Sequence, residues 1–253
     1  MAHQPRKRFG QHFLTDAGVI NGIMAAIAPR AGEVLVEIGP GLGALTLPLL
    51  ARVDHLTVIE LDRDLVAHWR AHPKAAQLTI HEGDALAFDF ATLGADLRLV
   101  GNLPYNISTP LLFHLATFAS HIRDAHFMLQ KEVVERMVAE PATADYGRLS
   151  VMLQYHFHMD ALLEVPPDAF SPPPKVDSSV VRLIPKTPSE RHALDETRLE
   201  QVVAQAFSQR RKMLRSTLKG MIPETTLIKL DIDPTRRAET LTLDEFVGLS
   251  NAG

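Results

Sequence analysis

Between Val34 and Gln130 short apolar runs alternate with amphipathic stretches, and this alternation restricts the fold more than any other feature of the chain. The runs are "VLVEI" (34–38), "LTVIE" (56–60), "LTI" (78–80), "LRLV" (97–100) and "HFMLQ" (126–130). Helical spacing falls between them, at 44–52, 62–72, 109–118 and 131–140. Strands that each lead into a helix of about ten residues need crossover connections, and crossovers make a parallel sheet. The expected fold class is therefore α/β. A helix over 15–30 precedes the first strand, its apolar positions being Val19, Ile20, Ile23, Met24 and Ile27, with Asp16 as cap and Gly32 as stop. Asp62 before "RDLVAHW", and Ser108-Thr109 before Pro110, supply further helix starts.

Past Pro141 the pattern changes. "GRLSVMLQYH" reads as a helix, and "MDALLEV" (159–165) and "KVDSSVVRLI" (175–184) read as strands. Between those strands lies "PPDAFSPPPK", with five prolines in ten residues, a stiff and shaped connection. Beyond Pro188 the signal is helical: Leu199, Val202, Val203, Ala206 and Phe207 form one stripe, and "KMLRSTLK" and "LDEFVGL" follow. The expected division is a large domain over 1–185 and a small all-helical domain over 186–253.

Composition narrows the function classes. The chain has no cysteine, which excludes disulfides and thiolate metal sites and makes a reducing cytoplasm the expected setting. No apolar run reaches 18 residues, so no membrane span is expected, and the 12 histidines form no metal-ligand cluster. A net charge of −4 argues against a surface that coats nucleic acid throughout. It leaves room for local basic faces at Arg6-Lys7-Arg8 and at Arg210-Arg211-Lys212 with Arg215 and Lys219. Either cluster alone is equally an ordinary solvated face.

The strand ends carry the chemistry. The first empties into "EIGPGLG", with glycines at 39, 41 and 43, a spacing that differs from the G-x-G-x-x-G of dinucleotide binders. By itself this is a turn that any α/β protein could use. Glu60 closes the next strand 19 residues after Gly41, the place from which a carboxylate accepts from a ribose diol, and Asp84 follows the third strand, where it could accept from an adenine amino group. The fourth strand runs into Asn102-Leu103-Pro104-Tyr105, where Pro104 cannot donate to a ladder and the strand must end. In an open α/β sheet these carboxyl ends form the ligand edge.

"EIGPGLG", an acidic residue, "GDA" and "NLPY", in that order, resemble S-adenosylmethionine-dependent methyltransferases of Rossmann-like fold. In such an enzyme the "NLPY" turn would face an exocyclic adenine nitrogen, a poor nucleophile whose lone pair is delocalised into the ring. The Asn102 side-chain oxygen and the Leu103 or Pro104 carbonyl would grip its hydrogens and favour a pyramidal nitrogen. Tyr105 would stack on the base, worth about 1–3 kcal/mol. Adenine DNA methyltransferases commonly carry Pro where this chain has Leu103, which points away from them.

At larger scale, "RKRFGQHFL", "VEIGPGLGALT", "VIELDRDL", "GNLPYNISTPLLFHL", "HFMLQKEVVERM", "YGRLSVMLQY", "EVPPDAFSPPPKVDSSVVRL" and "AFSQRRKMLR" closely resemble the bacterial ribosomal small-subunit RNA adenine dimethyltransferases, whose loss gives kasugamycin resistance. The resemblance implies transfer of four methyl groups to two adjacent adenosines in a hairpin loop near the 3′ end of small-subunit rRNA, within an immature 30S-type subunit. It implies that Gln11, His12 and Leu14 close over the cofactor, that Gly39 and Gly41 underlie its methionine portion, that Glu60 and Leu61 hold the ribose side and that Asp84 and Ala85 hold the adenine. Asn102 would serve both cofactor and target amine, Pro104 and Tyr105 would frame the target, and Phe170 would close on the base from its other side. Arg6, Lys7, Arg8, Arg210, Arg211 and Lys212 would contact rRNA. Bacterial relatives commonly have Asn where this chain has His12. A monomer is the expected state. Three other readings stay open: a large-subunit adenine dimethyltransferase of the macrolide-resistance kind, an assembly factor whose main duty is binding, and, more remotely, a nicotinamide-dependent oxidoreductase.

Overall fold

The computed structural model describes residues 12–252. In chain order the elements are β1 (Phe13–Leu14), α1 (Ala17–Ile27), β2 (Leu35–Ile38), α2 (Thr46–Leu50), β3 (Leu56–Glu60), α3 (Arg63–Arg70), β4 (Leu78–Glu82), β5 (Leu97–Asn102), α4 (Ser108–Ala116), β6 (Ile122–Gln130) and α5 (Lys131–Val138). They continue with α6 (Arg148–His156), β7 (Phe157–Val165), β8 (Phe170–Ser171), β9 (Ser178–Pro185), α7 (Glu196–Ala206), α8 (Leu214–Thr217), α9 (Glu224–Lys229) and α10 (Leu243–Asn251). Among them no helix is long and apolar enough to cross a membrane.

Seven strands form one sheet in the order β4-β3-β2-β5-β6-β9-β7. The pairs β4–β3, β3–β2, β2–β5 and β5–β6 are parallel, and β9 runs antiparallel to β6. Every residue of β2 is buried, as is every residue of β5 before Asn102. A strand buried on consecutive positions is covered on both faces, which is why these runs do not alternate with polar residues. The order reverses between β2 and β5, and that switch point opens a crevice at the strands' carboxyl ends. The fold is Rossmann-like.

Local rules set the entry to the helices. The Asp16 carboxylate accepts from the Val19 N–H at 2.8 Å and caps α1, and Asp62 caps α3 through the Asp64 N–H at 3.0 Å. Two expected boundaries move. Helix α1 ends at Ile27 rather than near Gly32, with Ala28 at φ +45°, because Pro29 disfavours a helical residue before it. Ser108 is the first residue of α4 rather than its cap. The turn closed by the Ile107 N–H on the Pro104 carbonyl already leads into the helix, and the Ser108 hydroxyl donates back to the Tyr105 carbonyl at 2.8 Å.

Two interactions hold the switch point together. A Cβ at Gly101 would lie 2.6 Å from the Ile38 carbonyl oxygen, so only glycine lets β5 approach β2 this closely. Arg98, charged in the middle of an apolar strand, is buried yet fully engaged. Its Nε and Nη2 reach Asp124 at 3.0 and 2.9 Å, Nη1 reaches Glu33 at 2.6 Å, and Nη2 also donates to the Ile27 carbonyl at 2.7 Å. One guanidinium therefore links the end of α1, the turn into β2, and strands β5 and β6.

The chain divides into two compact units. The first comprises the described residues up to Val134 with Met159–Pro185, and the second comprises Glu135–His158 with the chain from Lys186 onward. The expected boundary at 185 puts Glu135–His158 in the first domain, and the structure corrects this. These residues fold with the later helices because α6 buries Leu149 and Leu153, and it packs against α7 and α10. In the second unit α7 buries Leu199, Val202, Val203 and Ala206, α10 buries Phe246 and Leu249, and the Phe207 and Phe246 rings lie 5.7 Å apart. Only Leu214–Thr217 of the expected "KMLRSTLK" helix is α-helical.

Candidate active site

The carboxyl ends of β2, β3, β4 and β5 line one cavity with the arm segment at His12–Leu14. Glu60 makes the joint between two of these ends. Its Oε1 accepts the Asp62 N–H at 2.8 Å and its Oε2 accepts the Gly41 N–H at 3.4 Å. The spacing of 19 residues seen in the sequence is thus a contact in space. Burial pushes the Glu60 carboxyl up, the negative Asp62 adds to this, and the backbone N–H groups of Asp62 and Gly41 oppose it. Its partners are backbone N–H groups, and a carboxylate has lone pairs for further donors, of which a vicinal diol supplies two. Asp84 accepts the Leu86 N–H through Oδ1 at 2.9 Å and stands exposed on the cavity wall. Leu61 is 49% exposed beside it, and Ala85 is buried. Apolar walls from Ile38, Ile59 and Leu65 complete a slot suited to a flat ring.

On the other side of the switch point, the Asn102 Nδ2 donates to the His12 carbonyl at 3.0 Å. A carbonyl only accepts, so the amide nitrogen faces the arm and Oδ1 is left as an acceptor. The Pro104 carbonyl already receives the Ile107 N–H at 3.1 Å and the Ser108 hydroxyl at 3.4 Å. The Leu103 N–H is held by the Met128 carbonyl at 3.1 Å, while the Leu103 carbonyl has no hydrogen-bond donor among the described residues. Of the two carbonyls left open by the sequence, the geometry favours Leu103. Two acceptors on adjacent residues can bind both hydrogens of one amino group.

His12 joins three parts of the site. Its Nδ1 lies 2.8 Å from the Pro172 carbonyl and therefore carries the hydrogen, its backbone carbonyl receives Asn102, and its ring stacks on Tyr105 with centroids 5.8 Å apart and planes at 25°. The Tyr105 hydroxyl shares a 2.7 Å hydrogen bond with Ser178. The structure places Phe170 elsewhere than the cavity. β1 pairs with β8 so that Leu14 faces Phe170, and both side chains lie in the apolar core with Met128 and Val180, each 4% exposed. Burial of a phenyl ring there outweighs its exposure on the cavity wall, and the ring found over Tyr105 is that of His12. Leu14 also reaches the cavity.

Glu37 carries no functional signal in the sequence. Its side chain is buried in β2 and accepts the Thr46 hydroxyl at 2.7 Å. Burial, with the nearby Glu60 charge, pushes its carboxyl up to about 8. An acid raised in this way holds a proton in the folded state that the unfolded chain releases above the ordinary value, so its stabilisation falls as pH rises. A Glu37→Gln variant is expected to gain relative to the parent by up to about 1.4 kcal/mol per pH unit between about pH 5.5 and 7.5, read by urea denaturation. Parallel curves would exclude a raised Glu37.

Gln11 and the cluster Arg6, Lys7 and Arg8 lie outside the described residues. The second basic cluster belongs to the second unit. Arg210 is bonded to Glu239 at 3.3 Å and to the Ala144 carbonyl, whereas Arg211 and Lys212 are exposed without ion-pair partners among the described residues.

A family model described as ribosomal RNA adenine dimethylase matches residues 2–252. The chain belongs to that family. It is 62% identical to Ribosomal RNA small subunit methyltransferase A of Thiobacillus denitrificans over 248 residues, covering 98% of this chain and 97% of that protein. It is 59% identical to the protein of the same name from Dechloromonas aromatica over 249 residues, with 98% of each covered. Among solved structures it superposes on a dimethyladenosine transferase from Plasmodium falciparum with a TM-score of 0.80 at 26% identity, covering 94% of this chain and 96% of that one. As a member of the adenine dimethylase family it is a methyltransferase acting on ribosomal RNA, and the expected Rossmann-like methyltransferase fold is the observed one.

Proposed function

We propose that the protein transfers methyl groups from S-adenosylmethionine to N6 of two adjacent adenosines in a hairpin loop near the 3′ end of small-subunit rRNA, within an immature small subunit in the cytoplasm. The observation that carries this reading is the pairing, across one switch point, of a buried Glu60 carboxylate at the cavity with two open acceptors at Asn102 and Leu103. The near-full-length likeness to proteins named for the small subunit supports the choice of subunit.

In this reading Glu60 holds the cofactor's ribose hydroxyls, Leu61 and Ala85 flank its adenine, Asp84 accepts from the adenine amino group, and the Gly39–Gly41 turn passes under its methionine portion. When bound, the cofactor supplies an electrophilic methyl group. Asn102 Oδ1 and the Leu103 carbonyl hold the two hydrogens of the target amine, which draws its lone pair out of conjugation and aims it. Each methylation of the nitrogen releases one of its protons to water, so after the first transfer one hydrogen remains, and one acceptor suffices to orient the second. Tyr105 stacks on the extruded base, with His12 giving way from the ring it now covers. No side chain acts as nucleophile.

Arg211 and Lys212, without carboxylate partners among the described residues, supply phosphate contacts on the rRNA. An Arg211→Ala, Lys212→Ala double variant is expected to raise KM for the subunit and to flatten the log-log salt dependence of binding by about 1.4, near 0.7 for each phosphate no longer neutralised, with cofactor affinity unchanged. An unaltered salt slope would remove these residues from the interface. Methyl transfer from labelled S-adenosylmethionine to undermethylated small subunits, with large subunits alongside, tests the proposal. Label on small subunits alone is the expected result, and label on large subunits alone would replace it with the large-subunit reading.

A further inference from the structure

Trp69 sits on α3, outside the strand ends that carry the site, and it is fully buried. Its indole nevertheless reaches the glycine turn, where Nε1–H donates to the Gly41 carbonyl at 2.9 Å. The same ring fills the space beneath Gly43. A Cβ there would lie 2.7 Å from Cη2 and 3.0 Å from Cζ2 of the indole. On its other side Gly41, at φ +54°, abuts the Phe13 ring, which would lie 3.2 Å from an added Cβ. The Gly41 N–H points to Glu60 Oε2 at 3.4 Å. Both polar groups of Gly41 are thus assigned, the N–H to the carboxylate at the end of β3 and the carbonyl to the indole on α3.

We propose that Trp69 is a positioning residue for the cofactor, its indole N–H fixing the Gly41 carbonyl and thereby the angle at which the glycine turn meets Glu60. This rests on the reading that the turn and Glu60 hold S-adenosylmethionine. A peptide at positive φ has low intrinsic preference for one orientation when the residue is glycine. The turn therefore needs an external hydrogen bond to be preformed, and the indole supplies it from a helix that is itself anchored by the Asp62 cap. Loss of that bond leaves a carbonyl free to rotate and spreads the turn over several conformations. The ligand must then reorder the turn, so the loss falls on binding and leaves the Asn102 side of the site untouched.

Trp69 is also the chain's one tryptophan. The His68 and His72 rings lie 5.4 and 5.0 Å from its own.

Trp69→Phe keeps an aromatic ring and removes the donor. Calorimetric titration of the parent and of this variant with S-adenosylhomocysteine, together with kcat at saturating cofactor, is the test. The expected result is a Kd about tenfold weaker, the cost of losing one buried hydrogen bond, with kcat within about twofold of the parent. The urea midpoint of the variant, read alongside, establishes that a weaker Kd is not loss of the fold. An unchanged Kd in the variant, or a fall in kcat without a change in KM for the cofactor, would reduce the indole to core filling and overturn the proposal. Absence of binding to the parent itself would instead overturn the cofactor reading on which the proposal stands.

Discussion

Asn102→Ala is expected to lower the rate of methyl transfer by about 10²–10³, the usual loss when one preorganised polar contact to the reacting group is removed. The geometry gives Asn102 two separable duties. Its Nδ2 holds the His12 carbonyl at 3.0 Å, and its Oδ1 is left to accept from the target. Asn102→Asp keeps an acceptor but removes the donor and sets a negative charge against the His12 carbonyl. It should therefore weaken the hold on the arm more than alanine does while retaining part of the chemistry that alanine loses. Single-turnover rates on pre-bound subunits at saturating cofactor separate these duties from binding. Subunit affinity is expected to stay within about twofold for the alanine variant, since the phosphate contacts that dominate affinity come from elsewhere. A rate within about tenfold of the parent would mean that the amine is gripped by other groups. Assembly defects that appear in cells lacking the protein, and vanish when only the Asn102→Ala variant is supplied, would make binding its main duty.

Arg98→Leu is expected to cost about 3 kcal/mol of folding stability, measured as a shift of the urea midpoint at constant slope. Removing the guanidinium strands the Asp124 carboxylate and the Ile27 carbonyl and leaves Glu33 with Arg123 and the Arg30 N–H. The lower end of the range for broken buried pairs applies because Glu33 and Asp124 are 14% and 16% exposed and can recruit water. Arg123 will not substitute for Arg98, since it already spans Glu33 and Asp96 at the surface. Adding Glu33→Gln and Asp124→Asn to the variant should recover part of the loss, because the penalty lies in the unpaired charges. A midpoint unchanged from the parent would show that the network holds no weight in the fold.

The parallel sheet was legible because its determinants are local: "LTVIE" is a strand of those same five residues, and Asp16 and Asp62 cap the helices they precede. The site followed from it, since a parallel sheet brings the carboxyl ends of its strands to one edge whatever the loops do. Glycine turn, Glu60, Asp84 and Asn102 needed only that rule. What escaped was set by contacts between distant segments. Two residues of β1 pair with two of β8 across more than 150 positions, and no propensity announces a two-residue strand. That pairing carries Phe170 into the core and His12 over Tyr105. Arg98 gave a usable signal, a charge inside a buried strand that must find partners, without saying which. Trp69 gave none, because an aromatic on the apolar face of a helix reads as core until its N–H is seen on the Gly41 carbonyl. Glu135–His158 joined the second unit for the same reason: the helix is visible in the sequence and its neighbours are not.

Fragment and nucleoside mass spectrometry of small-subunit RNA, after undermethylated subunits are incubated with the purified protein and S-adenosylmethionine, tests the central claim most directly. The expected product is N6,N6-dimethyladenosine at two neighbouring positions of one hairpin loop, four methyl groups per subunit, and none with the Asn102→Ala variant on the same timescale. Methyl groups on any other base, or an Asn102→Ala variant that dimethylates as fast as the parent, would contradict it.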